Sequence, residues 1–148
     1  MKKEGSRISR DCIFCNIVNH ETKSMIIDQN DGALAILDMF PLSVGHTLVV
    51  TRIHYSKLQD IRPAETISLF ELVAKMTSVL ERSLNANATL IAIHNGREAG
   101  QEIDHVHVHI IPRSYKDGGA PVHSIFKNRI VLNESEMNNI MNKIKDKL

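Results

Sequence analysis

The residues best suited to chemistry lie in the run DHVHVHIIPR, residues 104–113, where His105, His107 and His109 occupy every second position. Side chains alternate between the two faces of a β-strand, so the three rings share one face. Val106, Val108 and Ile110 share the other, which reads as a core face. On a helix the same spacing would turn successive rings by about 200° and set a valine beside each. The β-branched filling favours the strand. The chain therefore carries a row of imidazoles on a rigid element.

Three chemistries are open to such a row. Satisfied core histidines are one, although each buried ring then needs its own hydrogen-bond partners. A metal site is another: rings two apart on a strand rise from backbones about 6.6–6.8 Å apart, and a pair can converge on one ion, with a third ligand from another element. The third is nucleophilic catalysis, because an imidazole with a pKa near 6.5 offers a neutral nitrogen to phosphorus at neutral pH. The middle ring would attack while its neighbours hold tautomer, orientation and anionic oxygens. The glycine-bearing stretch NGREAGQ, residues 95–101, runs directly into the row and could offer backbone N–H groups to a phosphate. Near the start of the chain, Cys12 and Cys15 form a C-x-x-C pair, which supplies two of the four ligands of a zinc site. Reduced, partly buried thiols are the plain alternative. A redox pair is a third option, weakened by the lack of a thioredoxin-like βαβ context.

Several elements must position these groups. MIIDQNDGALAILD contains two short apolar runs, around Met25–Ile27 and Ala33–Leu37, separated by turn residues, and predicts a hairpin. HTLVVT (46–51) is a β-branched strand, and TLIAI (89–93) is another that precedes the glycine-bearing loop. RPAETISLFELVAKMTSVLERSL predicts the one long helix, with Pro63 in its first turn and Ile67, Phe70, Val73, Met76, Val79 and Leu80 as its packing stripe. At the end of the chain, Asn133 and Glu136 suggest a capping box, followed by an apolar stripe of Met137, Ile140, Met141 and Ile144. Strands grouped beside one long helix, without regular βαβ alternation, predict an antiparallel α+β domain with a C-terminal helix.

A chain of 148 residues, 43% hydrophobic and 24% charged, has room for one compact domain with a real core. We expect residues 1–10 to be a flexible tail and residues 11–148 a single domain. A formal net charge of +1 makes no electrostatic case for nucleic acid or a membrane surface as partner. The opening MKKEGSRISR is not followed by an apolar stretch of the secretory kind, and no apolar run approaches the roughly 20 residues of a membrane span. Two cysteines three positions apart cannot build long-range disulfides, which points to a reducing, cytoplasmic setting.

With these residues in view, the chain resembles the histidine triad (HIT) family of nucleotide hydrolases and transferases. His105-Val-His107-Val-His109-Ile-Ile matches the family's H-x-H-x-H signature, LDMFPLSVGHTLVVTRIH (37–54) its nucleotide-binding hairpin, and NGREAGQEIDH the loop before the triad. DCIFCNI resembles the Cys-x-x-Cys opening of bacterial and archaeal members. The resemblance implies a half-barrel of about five antiparallel strands with one long helix, and a symmetric homodimer. It implies His107 as nucleophile on the α-phosphorus of a purine nucleotide or nucleotide conjugate, through a nucleotidyl-histidine. His109 would orient or polarise the phosphate, Asn95 and Gln101 would bond phosphoryl oxygens or the ribose side, and Gly100 belongs to the same loop. Asp38 lies where the family sets a carboxylate on the ribose hydroxyls, and His46 would support the triad. Ile36 and Phe14 are candidates to flank the base, with core packing the alternative for both. The resemblance nominates His54 and His105 to join Cys12 and Cys15 in a closed structural zinc site, and it implies no organic cofactor. Thr51-Arg-Ile stands before His54 where the family more often has Pro-Lys-Lys, a departure that leaves the ligand itself in place. The Ile-Pro-Arg continuation and the absence of a tryptophan-containing tail resemble the fragile-histidine-triad and general bacterial or archaeal members more than the phosphoramidase branch, which implies dinucleoside polyphosphates as substrates. A nucleoside phosphoramidase, a metallohydrolase and a non-catalytic nucleotide-binding regulatory module remain the alternatives.

Overall fold

The computed structural model describes Ser9 and residues 11–148. The segment expected to be a flexible tail thus lies, apart from Ser9, outside the described residues. The chain divides into two compact units, one ending at Asp117 and the other running from Gly118 to Leu148.

The first unit is built on five strands: β1 (Ile26–Gln29), β2 (Ala33–Leu37), β3 (Thr47–Thr51), β4 (Ala88–Ala92) and β5 (His107–Arg113). They form one antiparallel sheet in the order β1-β2-β3-β5-β4. The predicted hairpin is β1–β2, where the Asn30 side chain accepts from the N–H groups of Gly32 and Ala33 and turns the chain. The register Leu48↔His109 and Val50↔His107 sets the triad strand against β3.

Two helices cover the faces of this sheet. The long helix α2 (Pro63–Leu84) starts with proline in its first turn and ends at Asn85, whose φ of 52° is left-handed. It packs Leu69, Leu72, Val73, Met76 and Leu80 onto Ala33, Ala35, Val49, Val106, Val108 and Ile110. The stripe expected from the sequence was displaced: Ile67 is 60% and Phe70 40% exposed, while Leu69 and Leu72 are buried. Apolar residues lie on two adjoining faces of α2, and helical period alone does not say which faces the sheet. On the opposite face, the short α1 (Ile13–Val18) buries Phe14, Cys15 and Ile17 against Leu34, Ile36, Leu48 and Val50. Strand alternation places the histidines on this second face, since their neighbours Val106, Val108 and Ile110 belong to the α2 core.

Gly45 precedes β3 with φ of 84°, and a Cβ there would stand 2.1 Å from Leu84 Cδ1. The left-handed backbone needs glycine here, and a Cβ would also force the partly exposed Leu84 side chain to move aside.

In the second unit, α3 (Glu134–Lys145) carries the predicted capping box: Asn133 accepts from the Glu136 N–H, and the Asn133 N–H donates to the Glu136 carboxylate. Met137, Ile140, Met141 and Ile144 line an open apolar groove on it, together with Leu132 and the stem of Lys145. Among the described residues, no helix is long and apolar enough to cross a membrane.

Candidate active site

β5 starts at His107, and the chain entering it sets His105, His107 and His109 in one file. His105 is fully buried and His107 is 7% exposed. The ring centroids of His107 and His109 lie 5.0 Å apart, and Phe14 bridges the other gap, 5.7 Å from His105 and 5.0 Å from His107.

Hydrogen bonds assign the tautomer of each ring. His107 Nδ1 lies 2.7 Å from the His105 carbonyl oxygen. A carbonyl only accepts, so the proton sits on Nδ1 and the Nε2 lone pair is free. His105 shows the converse pattern. Its Nε2 faces the Thr51 carbonyl at 2.8 Å and must donate, which leaves its Nδ1 lone pair pointing at sulfur.

A relay fixes His109 in the same way. The Leu42 backbone N–H donates to His46 Nδ1 at 3.1 Å, so the proton of neutral His46 is on Nε2. That group meets His109 Nδ1 at 3.0 Å, with an Asp38 carboxylate oxygen 3.6 Å away. His109 therefore carries its proton on Nε2, a buried nitrogen with no hydrogen-bond partner among the described residues. A free lone pair on His107 thus stands beside an unused donor on His109. This pair suits attack on an electrophilic centre that bears an anionic oxygen.

Electrostatics keep these rings neutral. Burial lowers the pKa of His107, and the charge of His94 adds to this, opposed by the His105 carbonyl and Asp38. His109 is pushed down to about 4, first by burial and then by His107, His46 and His94. Burial also lowers His46, with Asp38 pulling the other way.

Beside the triad, the Sγ atoms of Cys12 and Cys15 and a ring nitrogen each of His54 and His105 lie within 4.8 Å of one another. Cys12 Sγ is 3.4 Å and Cys15 Sγ 3.6 Å from His105 Nδ1, and Cys15 Sγ is 3.4 Å from His54 Nδ1. Metal–sulfur bonds of about 2.3 Å and metal–nitrogen bonds of about 2.0–2.1 Å give tetrahedral edges of roughly 3.3–3.8 Å, so the cluster is compatible with a bound metal. The Thr51 carbonyl on the far nitrogen of His105 holds its ligand tautomer, the usual outer support of a metal-bound imidazole. Burial pushes the Cys15 thiol up, so a thiolate there needs a cation nearby. Asp38, His46 and His109 also bring ligand atoms within 4.8 Å. The Leu42 N–H argues against a metal there, because it requires the proton of His46 to sit on the nitrogen that would bind.

The remaining expected residues lie around this centre. Asp38 accepts from the Phe40 N–H and keeps its second oxygen toward His46. Ile36 and Phe14 are buried in the α1 cluster, and the Phe14 ring meets those of His105 and His107. Asn95 accepts from the Leu58 N–H and donates to the Gln59 side chain. Gln101 accepts from the Gly96 N–H and donates to the carbonyls of Ser56 and Ile103. Both side chains brace the loop. The loop's own N–H groups are also largely engaged: those of Ala99 and Gln101 donate to Gly96 O, and that of Gly100 to Arg97 O. The tight 3-10 turn at Arg97–Ala99 consumes donors that the glycine pattern suggested would be free for phosphate.

Sequence reasoning missed His94. Its ring lies 5.2 Å from that of His109, and a Cβ on Gly100, where φ is 95°, would stand 3.6 Å from it. The only sequence signal was positional: Ala92 pairs with His109, so the residues leaving β4 run alongside the start of β5.

The HIT domain family matches residues 19–116 of the chain. The chain belongs to the HIT family. Among relatives, it is 34% identical over 116 residues to adenylylsulfatase HINT3 of Arabidopsis thaliana, covering 78% of this chain and 59% of that protein. It is 38% identical over 115 residues to the asymmetrical bis(5'-nucleosyl)-tetraphosphatase of Schizosaccharomyces pombe, covering 78% and 59%. The chain thus spans about three-fifths of each of these two relatives. Among solved structures, a HIT family protein of Bacillus subtilis superposes with a TM-score of 0.85 at 28% identity, over 94% of this chain and 98% of that one. A zinc-bound histidine triad protein of Mycobacterium smegmatis gives a TM-score of 0.69 at 25% identity, over 93% and 98%.

Proposed function

We propose that this HIT protein is a nucleotide hydrolase or nucleotidyl transferase in which His107 Nε2 attacks the α-phosphorus. The observation that carries this reading is the hydrogen bond from His107 Nδ1 to the His105 carbonyl, which leaves the lone pair of the other nitrogen uncommitted. In the first step the N–P bond forms and the bond from phosphorus to the leaving group breaks, giving a nucleotidyl-histidine. The His109 Nε2–H donates to a non-bridging oxygen as negative charge develops there. Water then attacks the same phosphorus, releases the nucleoside monophosphate and restores the ring. Asp38 accepts from the ribose hydroxyls, and Asn95, Gly100 and Gln101 shape the phosphate loop. Relatives named for adenylylsulfate and for a dinucleoside tetraphosphate support a substrate whose α-phosphate carries an anionic leaving group. Dinucleoside polyphosphates are favoured.

Cys12, Cys15, His54 and His105 are assigned to a structural zinc, which closes the first unit by tying α1 to the entry of β5. The edge distances and the zinc-bound relative support this assignment. A second copy of the chain is the proposed partner, supported by the open edge of β4 and its Ile91, 46% exposed. Free cysteines suit a cytoplasmic setting.

The test is chromatographic. Purified protein and His107→Asn are incubated with diadenosine polyphosphates, adenosine phosphoramidate and nucleotidyl-lysine. Release of AMP by the wild type alone supports the reading, and fastest turnover of the phosphoramidate would make the protein a phosphoramidase. AMP binding by both proteins with turnover by neither would replace the enzyme by a nucleotide-binding module.

A further inference from the structure

We infer that Phe14 is a positioning residue for His107, and that through it and the His105 carbonyl the Cys12–Cys15 cluster holds the His107 ring in the orientation that turns its Nε2 lone pair to the substrate. This rests on the reading of His107 as the nucleophile.

Phe14 lies in α1, between the two cysteines in sequence, and is 3% exposed. Its ring stands 5.0 Å from His107 and 5.7 Å from His105. With so little free surface, it has less to offer a base than it offers these two rings. α1 spans six residues and has no side-chain bond at its N-cap. A helix this short does not persist by propensity, so its place on the sheet depends on what holds it there. Part of that hold comes from its apolar neighbours, and part from the thiols against His54 and His105.

The cluster then reaches the nucleophile by two routes. One is the backbone: the carbonyl that accepts from His107 Nδ1 belongs to His105, whose ring meets the sulfurs. The other is the ring of Phe14. The outer torsion of a histidine is broad and roughly two-fold, so a single hydrogen bond leaves the ring able to turn over. A turned ring would set Cε1 where Nε2 stood and take Nδ1 off the His105 carbonyl, which frees the proton to move between the two nitrogens. The Phe14 ring, 5.0 Å from that of His107 and tilted 56° to it, stands in the way of that rotation, and loosening α1 would release it.

The variants are Phe14→Leu and Phe14→Met, which stay close in volume but lose the planar ring. Long-range ¹⁵N–¹H correlation spectra at slightly alkaline pH read the His107 tautomer directly, whether or not the protein turns over any substrate. Dispersed spectra and bound zinc show which variant is folded, and either one suffices. The expected result is a single tautomer with the proton on Nδ1 in the wild type, and a mixture both in the variants and in chelator-treated wild type. Turnover should fall about 10- to 100-fold, the scale set by misplacing a reacting group by about 1 Å. KM should stay within about twofold, as for loss of an effect confined to the transition state. A wild-type tautomer with unchanged turnover would overturn the inference. So would a rise in KM alone, which would move Phe14 to the nucleoside pocket. If no form turns over, the nucleophile reading fails, yet the tautomer spectra still decide whether Phe14 positions the ring.

Discussion

Protonation of His109 should make this protein lose stability steadily below neutral pH. The folded state holds His109 at about 4 against an ordinary value of 6.5, through burial and the charges of His107, His46 and His94, with Asp38 in partial opposition. The unfolded chain therefore takes up a proton that the folded chain refuses. The stabilisation is fully present above pH 6.5 and is lost as pH falls, with no further change below about 4. A shift of this size corresponds to roughly 3 kcal/mol over the whole window, of which about 2 kcal/mol is lost by pH 5. Urea unfolding at pH 7.5, 6.5, 5.5 and 5 measures it, with His109→Asn as reference. The substitution shifts stability by a constant, and the other titrating groups contribute to both proteins. The difference between the two pH profiles therefore isolates His109, and wild type should lose about 2 kcal/mol more than the variant between pH 7.5 and pH 5. Parallel profiles would refute the argument, because they would mean that His109 titrates alike in both states.

Three further expectations follow from single contacts. Gly45→Ala should lower stability by about 1–3 kcal/mol in a thermal melt, since it combines a left-handed backbone with a Cβ placed 2.1 Å from Leu84 Cδ1. Gln101→Met removes three hydrogen bonds that brace the loop and should cost about 2–4 kcal/mol in urea unfolding, with weaker binding of AMP by calorimetry. Wild type should carry one zinc per chain by elemental analysis and Cys15→Ser none. Chelation should lower activity only as the single His107 tautomer is lost or circular dichroism reports unfolding, whereas immediate loss on a folded chain that keeps that tautomer would assign the metal to catalysis.

The parts of the molecule that follow from strand period were legible in the sequence. Alternation of His with Val and Ile placed His107 and His109 on one face of β5 and the apolar partners in the α2 core, while His105, expected on the same strand, lies in the chain just before it. Turn residues marked the β1–β2 hairpin, and Asn133 with Glu136 marked the start of α3. Features that depend on tertiary choice were less legible. α2 has apolar residues on two adjoining faces, and the sheet selected Leu69 and Leu72 over Ile67 and Phe70. Backbone donors escaped altogether: nothing in the letters says that the N–H of Leu42 sets the tautomer of His46, or that the loop spends its own N–H groups on itself. His94 was passed over because a single histidine beside Asn95 carries no period or motif, and only the pairing of β4 with β5 brings it to the triad. Spacing nominated Cys12 and Cys15 as half of a zinc site, whereas His54 and His105 came from resemblance, since they lie too far along the chain for spacing to join them to the pair.

The central claim is that His107 becomes covalently nucleotidylated, and the most direct measurement is rapid acid-free quenching of a reaction with a diadenosine polyphosphate, followed by peptide mass spectrometry. The account predicts a transient adduct of one AMP group on the peptide containing His107, formed and lost at rates compatible with turnover, and absent from His107→Asn. Full turnover by His107→Asn, or an adduct located on His105 or His109, would contradict it.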